Sequence, residues 1–150
     1  MTFNDKKYQE FEKNVEKAKK HNNELLLKFE NYLKKKSLTA KTIHKHISNI
    51  EFFANTYLLY YDVITIEKGI SNIGSFLGYF FIEKTMWASK TTILENITSF
   101  KKFYTFLNEI GKITEEDLNE MKNTIKEEKN DWINNLNKCL NGESLYDDWL

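Results

Sequence analysis

The 150-residue chain is 41% apolar and 15% aromatic, carries no net charge, and contains five glycines, one cysteine and no proline. Such a composition supports a packed core and argues against a disordered chain. The lone Cys139 excludes an intramolecular disulfide, and no Cys/His cluster stands at zinc-ligand spacing. With so few residues that force turns, long helices joined by short loops are expected, hence an all-α fold.

The first segment, Asn4 to His21, sets Tyr8, Phe11, Val15 and Ala18 at helical spacing. His21-Asn22-Asn23 reads as a polar break, or else the chain continues through it as one bent helix. A second segment carries Leu25, Leu26, Phe29, Tyr32 and Leu33 and ends in Lys34-Lys35-Lys36, charges that suit the carbonyl end of a helix. Ser37-Leu38-Thr39 reads as a turn with an N-cap opening a third helix, Ala40 to Tyr60. Its apolar stripe is Ile43, Ile47, Ile50, Ala54 and Tyr57, with Lys41, Lys45 and Ser48 opposite. Tyr61 to Gly69 is expected to be irregular.

Ser71 is the expected cap of a fourth helix containing Ile73, Phe76, Leu77, Phe80 and Phe81, apolar almost all round and therefore central. Ser89 caps a fifth helix that turns Ile93, Ile97, Phe100, Tyr104 and Leu107 inward and Thr91, Thr98 and Lys102 outward. Gly111 closes it in the left-handed conformation. Thr114 and Asp117 form a variant capping box for a final helix. The stripe of that helix is Leu118, Met121, Ile125, Trp132, Leu136 and Leu140, and Gly142 ends it.

There is no internal repeat and no low-complexity linker, so residues 1–150 are expected to form a single domain. Its parts are a helical extension over 1–23, a helical bundle over 24–126 and an acidic helical extension over 127–150. Residues 1–24 lack the apolar core of a signal peptide, and runs such as Phe76–Ile82 are too short to span a bilayer. The expectation is a cytoplasmic protein with no membrane partner.

Zero net charge, taken alone, argues against a nucleic-acid partner. Its distribution argues otherwise. Residues 25–112 carry twelve lysines against seven acids, whereas residues 113–150 carry four against ten. All 22 basic residues are lysine. Chemistry that needs a bidentate guanidinium is therefore closed to this chain on its own.

Two stretches carry a resemblance. Leu26–Tyr32 followed by Ser37-Leu38-Thr39-x-Lys41-Thr42-Ile43 resembles the opening of the SAM-like, N-terminal core-binding domain of tyrosine recombinases and phage integrases. Ser89-Lys90-x-Thr92-Ile93 is followed by Ile97-x-Ser99-Phe100-Lys101-Lys102-Phe103-Tyr104-x-Phe106-Leu107 and Gly111-x-Ile113. This second stretch is similar to the family's fourth-helix pattern. The resemblance covers roughly residues 24–126 and implies a compact helical bundle whose second and fourth core helices cross near the DNA major groove. It further implies DNA contacts from Lys41, His44, Lys45 and Ser48 on one helix and Lys90, Thr91, Thr92 and Lys102 on the other.

The family's catalytic domain, with its arginines and tyrosine nucleophile, has no counterpart in these residues. Without a fixed positive clamp, strand cleavage by this chain alone is not expected, nor is a cofactor or metal. The plainer reading of the same lysines is a solvated helix face that keeps the protein soluble.

His44 and His46 stand two apart on a helix and point in different directions, which suits surface histidines better than a metal site. Trp87 is expected as a core anchor and Trp132 as a helix-packing residue, with base stacking as the other use of such rings. Trp149 has no evident core position. Glu115, Glu116, Asp117, Glu120, Glu127, Glu128 and Asp131 read as a solvated helix face, or as a cover for the basic face in cis or from a neighbouring subunit. Two functions follow. One is a non-catalytic DNA-binding module that acts alone or beside a full-length recombinase. The other is a helical protein-interaction or self-association module built on the terminal helices without DNA.

Overall fold

The computed structural model describes residues 2–145. Among them every regular element is helical and none is a β-strand, so the chain is all-α. The described residues form two compact units that divide between Gly69 and Ile70.

The first unit opens with α1 (Phe3–Lys35), one continuous helix of 33 residues. Thr2 caps it, its hydroxyl accepting from the Asp5 N–H while the Asp5 carboxylate accepts from the Thr2 N–H, each at 3.2 Å. No break occurs at His21-Asn22-Asn23. Asparagine disfavours helix interiors because its amide competes for nearby backbone, but here the amides are satisfied elsewhere. Asn22 is buried and donates to the Asn55 side chain at 2.9 Å, Asn55 donates to Asn23 at 3.2 Å, and His21 bonds Glu67 at 2.9 Å.

Ser37, left-handed at φ 60°, turns the chain into α2 (Ala40–Glu51). Thr39 caps α2 by accepting from the Thr42 N–H at 3.2 Å. The helical path then widens into a π-turn, Phe52–Tyr57, where the Leu58 N–H reaches back five residues to the Phe53 carbonyl at 2.9 Å. Leu25, Leu26, Phe29 and Leu33 of α1 are buried where α1 packs on α2 and the π-turn, whose own buried residues include Ile43, Ile50, Phe53 and Ala54. Burying each of these leucine, isoleucine and phenylalanine side chains stabilises the unit by about 1.5–3 kcal/mol.

In the second unit the expected fourth helix is assembled from pieces. A 3-10 turn, Lys68–Asn72, leads to α3 (Ile73–Ser75), a second π-turn (Phe76–Phe80) and α4 (Phe81–Lys84). Ser71 does not cap it: the first side-chain partner of its hydroxyl is Asn72 at 3.4 Å, and α3 has no side-chain cap. As expected of a central segment, Ile73, Phe76, Leu77 and Phe81 are buried.

α5 (Lys90–Glu109) starts from a reciprocal Ser89/Thr92 capping box and closes at Gly111, φ 77°, with the Lys112 N–H bonded to the Leu107 carbonyl at 2.8 Å. α6 (Glu115–Leu140) starts from the Thr114/Asp117 capping box and closes at Gly142, φ 79°. Phe100 of α5 meets Phe76 edge-on, ring centroids 6.0 Å apart.

The acidic stretch beyond residue 126 contributes to this core, since Trp132 (2% exposed) and Leu136 are buried. Trp132 packs over Gly78, where a β-carbon would stand only 2.9 Å from its Cδ1. Beside it Asn135 donates to the Gly78 carbonyl at 3.1 Å. The two π-turns thus share a device. Each has a carbonyl met by an asparagine from a neighbouring helix, Gly78 by Asn135 and Ala54 by Asn22 at a longer 3.5 Å. Among the described residues no helix is long and apolar enough to cross a membrane.

Candidate nucleic-acid interface

On α2, Lys41, His44, Lys45 and Ser48 are all exposed. At about 100° per residue they occupy roughly 100° of the helix circumference, so they form one face. Residues 40–50 contain no acidic residue, which leaves this face cationic along its length. An open groove of about 420 Å³ runs beside it, lined by Glu30 and Lys34 of α1 and by Ala40, Ile43, His44 and Ile47 of α2. Lys34 is shared with Glu30 at 3.5 Å.

His46 is not a surface histidine. It is 5% exposed and sits with Ile43 and Ile50 on the buried side of α2. Counted from Ile43, position 46 falls about 60° away and inside the apolar arc, so the sequence holds the signal. That signal is hidden when the two histidines are weighed only as a ligand pair. Among the described residues no group of three His, Cys, Asp or Glu side chains is placed to hold a metal.

On α5 the buried arc is wider than its apolar stripe. Besides Ile93, Ile97, Phe100, Tyr104 and Leu107 it includes Asn96, Ser99, Phe103 and Phe106, about half the circumference. Ser99 reaches this depth by donating to the Glu95 carbonyl at 3.1 Å, and Asn96 by donating to the Thr92 carbonyl at 2.8 Å. The exposed face is rotated accordingly. It runs through Lys90, Thr91, Leu94, Thr98 and Lys101, while Lys102 lies half-buried at its edge. Lys101, absent from the expected set, is thus better presented than Lys102. Its position eleven residues after Lys90, just over three full turns, is the signal that would have found it.

Thr92 is half-buried, and its hydroxyl accepts from the Ser89 N–H at 2.8 Å and donates to the Trp87 carbonyl at 3.2 Å. That hydroxyl belongs to the helix cap. No family model, curated protein or solved structure matches this chain.

Trp87 is not a core anchor. It is 59% exposed, in the loop between α4 and α5. Trp132 does pack between helices as expected, and Trp149 lies outside the described residues. On α6, Glu115, Glu116, Glu120, Glu127 and Asp131 are exposed, while Asp117 serves the cap.

Proposed function

We propose that this chain is a non-catalytic DNA-binding module, akin in kind to the core-binding domain of tyrosine recombinases. It holds duplex DNA through Lys41, His44, Lys45 and Ser48 of α2 and through Lys90, Thr91, Lys101 and Lys102 of α5. The observation that carries the reading is the exposed, acid-free lysine face of α2. Lysine is a point charge that binds phosphate without fixing the planar geometry needed to read guanine, so the contacts position the protein more than they select a sequence.

Fluorescence anisotropy with a random-sequence duplex over a salt series tests this. If Lys41, Lys45, Lys90 and Lys101 each neutralise one phosphate, log affinity falls against log salt with a slope of about −3 to −4. The triple variant Lys41→Ala/Lys45→Ala/Lys101→Ala loses most of that affinity and keeps its helical circular dichroism, because all three side chains are exposed. Absence of binding even at low salt defeats the proposal.

One observation favours self-association as a second reading. Tyr8, Phe11, Val15, Ala18, Asn22, Leu25 and Phe29 of α1 recur at alternating spacings of three and four, the seam of a coiled coil. The later part of that seam is buried in the first unit, whereas Tyr8 at its start is 63% exposed and Phe11, Val15 and Ala18 are half-covered. Sedimentation that depends on concentration, and is abolished by Phe11→Glu, would support this reading.

A further inference from the structure

The loop between α4 and α5 turns two apolar side chains out to solvent: Met86 is fully exposed and Trp87 is 59% exposed. Scattered exposed apolar residues are ordinary, but this pair is held in place from both sides. Before it, Thr85 is buried, and its hydroxyl donates to the Phe81 carbonyl at 2.6 Å. After it, the Trp87 carbonyl accepts from the Thr92 hydroxyl at 3.2 Å, and Ser89 is locked in the capping box of α5. A tip braced in this way keeps its large side chains at the surface without the ordering cost that a mobile loop would meet on binding.

The charge around the tip says what it fits. Exposed Lys84 and Lys90 flank it in sequence, with exposed Glu83 one residue further out, and Lys90 begins the exposed face of α5 that continues through Thr91 and Lys101. An apolar indole between lysines suits a surface that is planar and apolar yet attached to closely spaced negative charge. A nucleobase on its phosphate backbone has that character, and its face becomes available where the base is unpaired or unstacked.

We propose that Met86 and Trp87 form a stacking wedge that engages an unpaired or unstacked base in DNA held by the lysine face of α5. The wedge rests on the DNA-binding reading and adds a ligand class to it. Trp87 takes the base face, and Met86 fills the gap left beside it with its polarisable thioether. The wedge gives a preference for distorted over perfect duplex that lysines alone would not confer.

The test compares two oligonucleotides of equal length, a fully paired duplex and the same duplex with one bulged base, by anisotropy at fixed salt. The expected result is about tenfold or tighter binding of the bulged duplex, in line with one stacked base. Trp87→Ala should abolish that preference while leaving affinity for the paired duplex unchanged, and Trp87→Phe should restore part of it. Because Trp87 is exposed and Trp132 buried, the retained emission of Trp132 in a Trp149→Phe background reports that the variants stay folded.

Equal affinity of the wild type for both duplexes overturns the wedge and leaves the DNA-binding reading standing. So does a preference that survives Trp87→Ala. Failure to bind either duplex overturns both. Trp87-dependent partition onto vesicles of anionic lipid, without any bulge preference, would assign the tip to a membrane surface and overturn the proposal in that direction.

Discussion

Gly78 and Trp132 show how tightly single side chains are matched in the second unit. A methyl group added at Gly78 would stand 2.9 Å from the indole, with the π-turn backbone on its other side. Gly78→Ala is therefore expected to destabilise the protein by about 1–3 kcal/mol through overpacking. Trp132→Ala leaves a cavity instead and costs about 3–5 kcal/mol. Urea unfolding of both variants, compared through their midpoints, checks the pair. At Ser37 the sign reverses. A serine held at φ 60° bears a steric cost that glycine does not, so Ser37→Gly should raise stability by up to about 1 kcal/mol. A lower midpoint would show that this turn draws on the serine side chain.

At this scale the sequence was partly legible. Trp132 could be placed by its spacing from Ile125 and Leu136 on one helix. Trp87 could not, because its exposure depends on where Thr85 and Thr92 anchor the loop, through bonds that no periodicity records.

Among the elements, helix starts were the most readable feature, since a cap is a contact between residues three apart. Ser89 with Thr92 and Thr114 with Asp117 both form as reciprocal boxes. Thr114→Ala should cost about 1 kcal/mol, with amide exchange accelerated first over residues 115–118. The box at Thr2 and Asp5 adds a pH dependence. The Asp5 carboxyl is held below its ordinary pKa by the Thr2 hydroxyl and then the Thr2 N–H. Its support for the start of α1 is complete above the ordinary carboxylate pKa and fades as pH falls through the lowered value. The protection of amides 3–6, measured against their intrinsic exchange rates, should fall on acidification, and Asp5→Asn should remove that response.

The continuity of α1 stood in the sequence as one of two readings, and what escaped it at this level was the two π-turns. Both depend on asparagines reaching other helices, Asn22 to the first turn and Asn135 to the second, and such long-range bonds leave no local pattern.

For the molecule as a whole, charge is the property that acts at a distance. The neutral total combines a lysine-rich middle with an acid-rich α6, so the net field opposes approach to DNA less than the tail alone would and favours it less than the middle alone would. Deleting the acidic stretch would not isolate this effect, because Trp132 and Leu136 belong to the core. Neutralising exposed acids does. The variant Glu116→Gln/Glu120→Gln/Glu127→Gln should bind random duplex several-fold more tightly at low salt, and the gain should vanish as salt shortens the reach of the field. A gain that persists at high salt would point to direct contact by these side chains. The division between Gly69 and Ile70 left no trace in composition. No proline or serine-rich stretch marks it, and the residues that cross it, Lys68–Asn72, are themselves helical.

The π-turns also bear on how the length of this chain can change. Each encloses one residue more per turn than the α-helix around it, so each amounts to a single extra residue absorbed inside a helix. Removing the exposed Thr56 would let its turn relax to α-helical winding and leave the residues beyond it on the faces they already occupy. The same loss in the middle of α5 would carry Lys101 off its face. Relatives of this sequence are thus expected to gain and lose single residues at Phe52–Tyr57 and Phe76–Phe80, and to hold their length between Lys90 and Glu109.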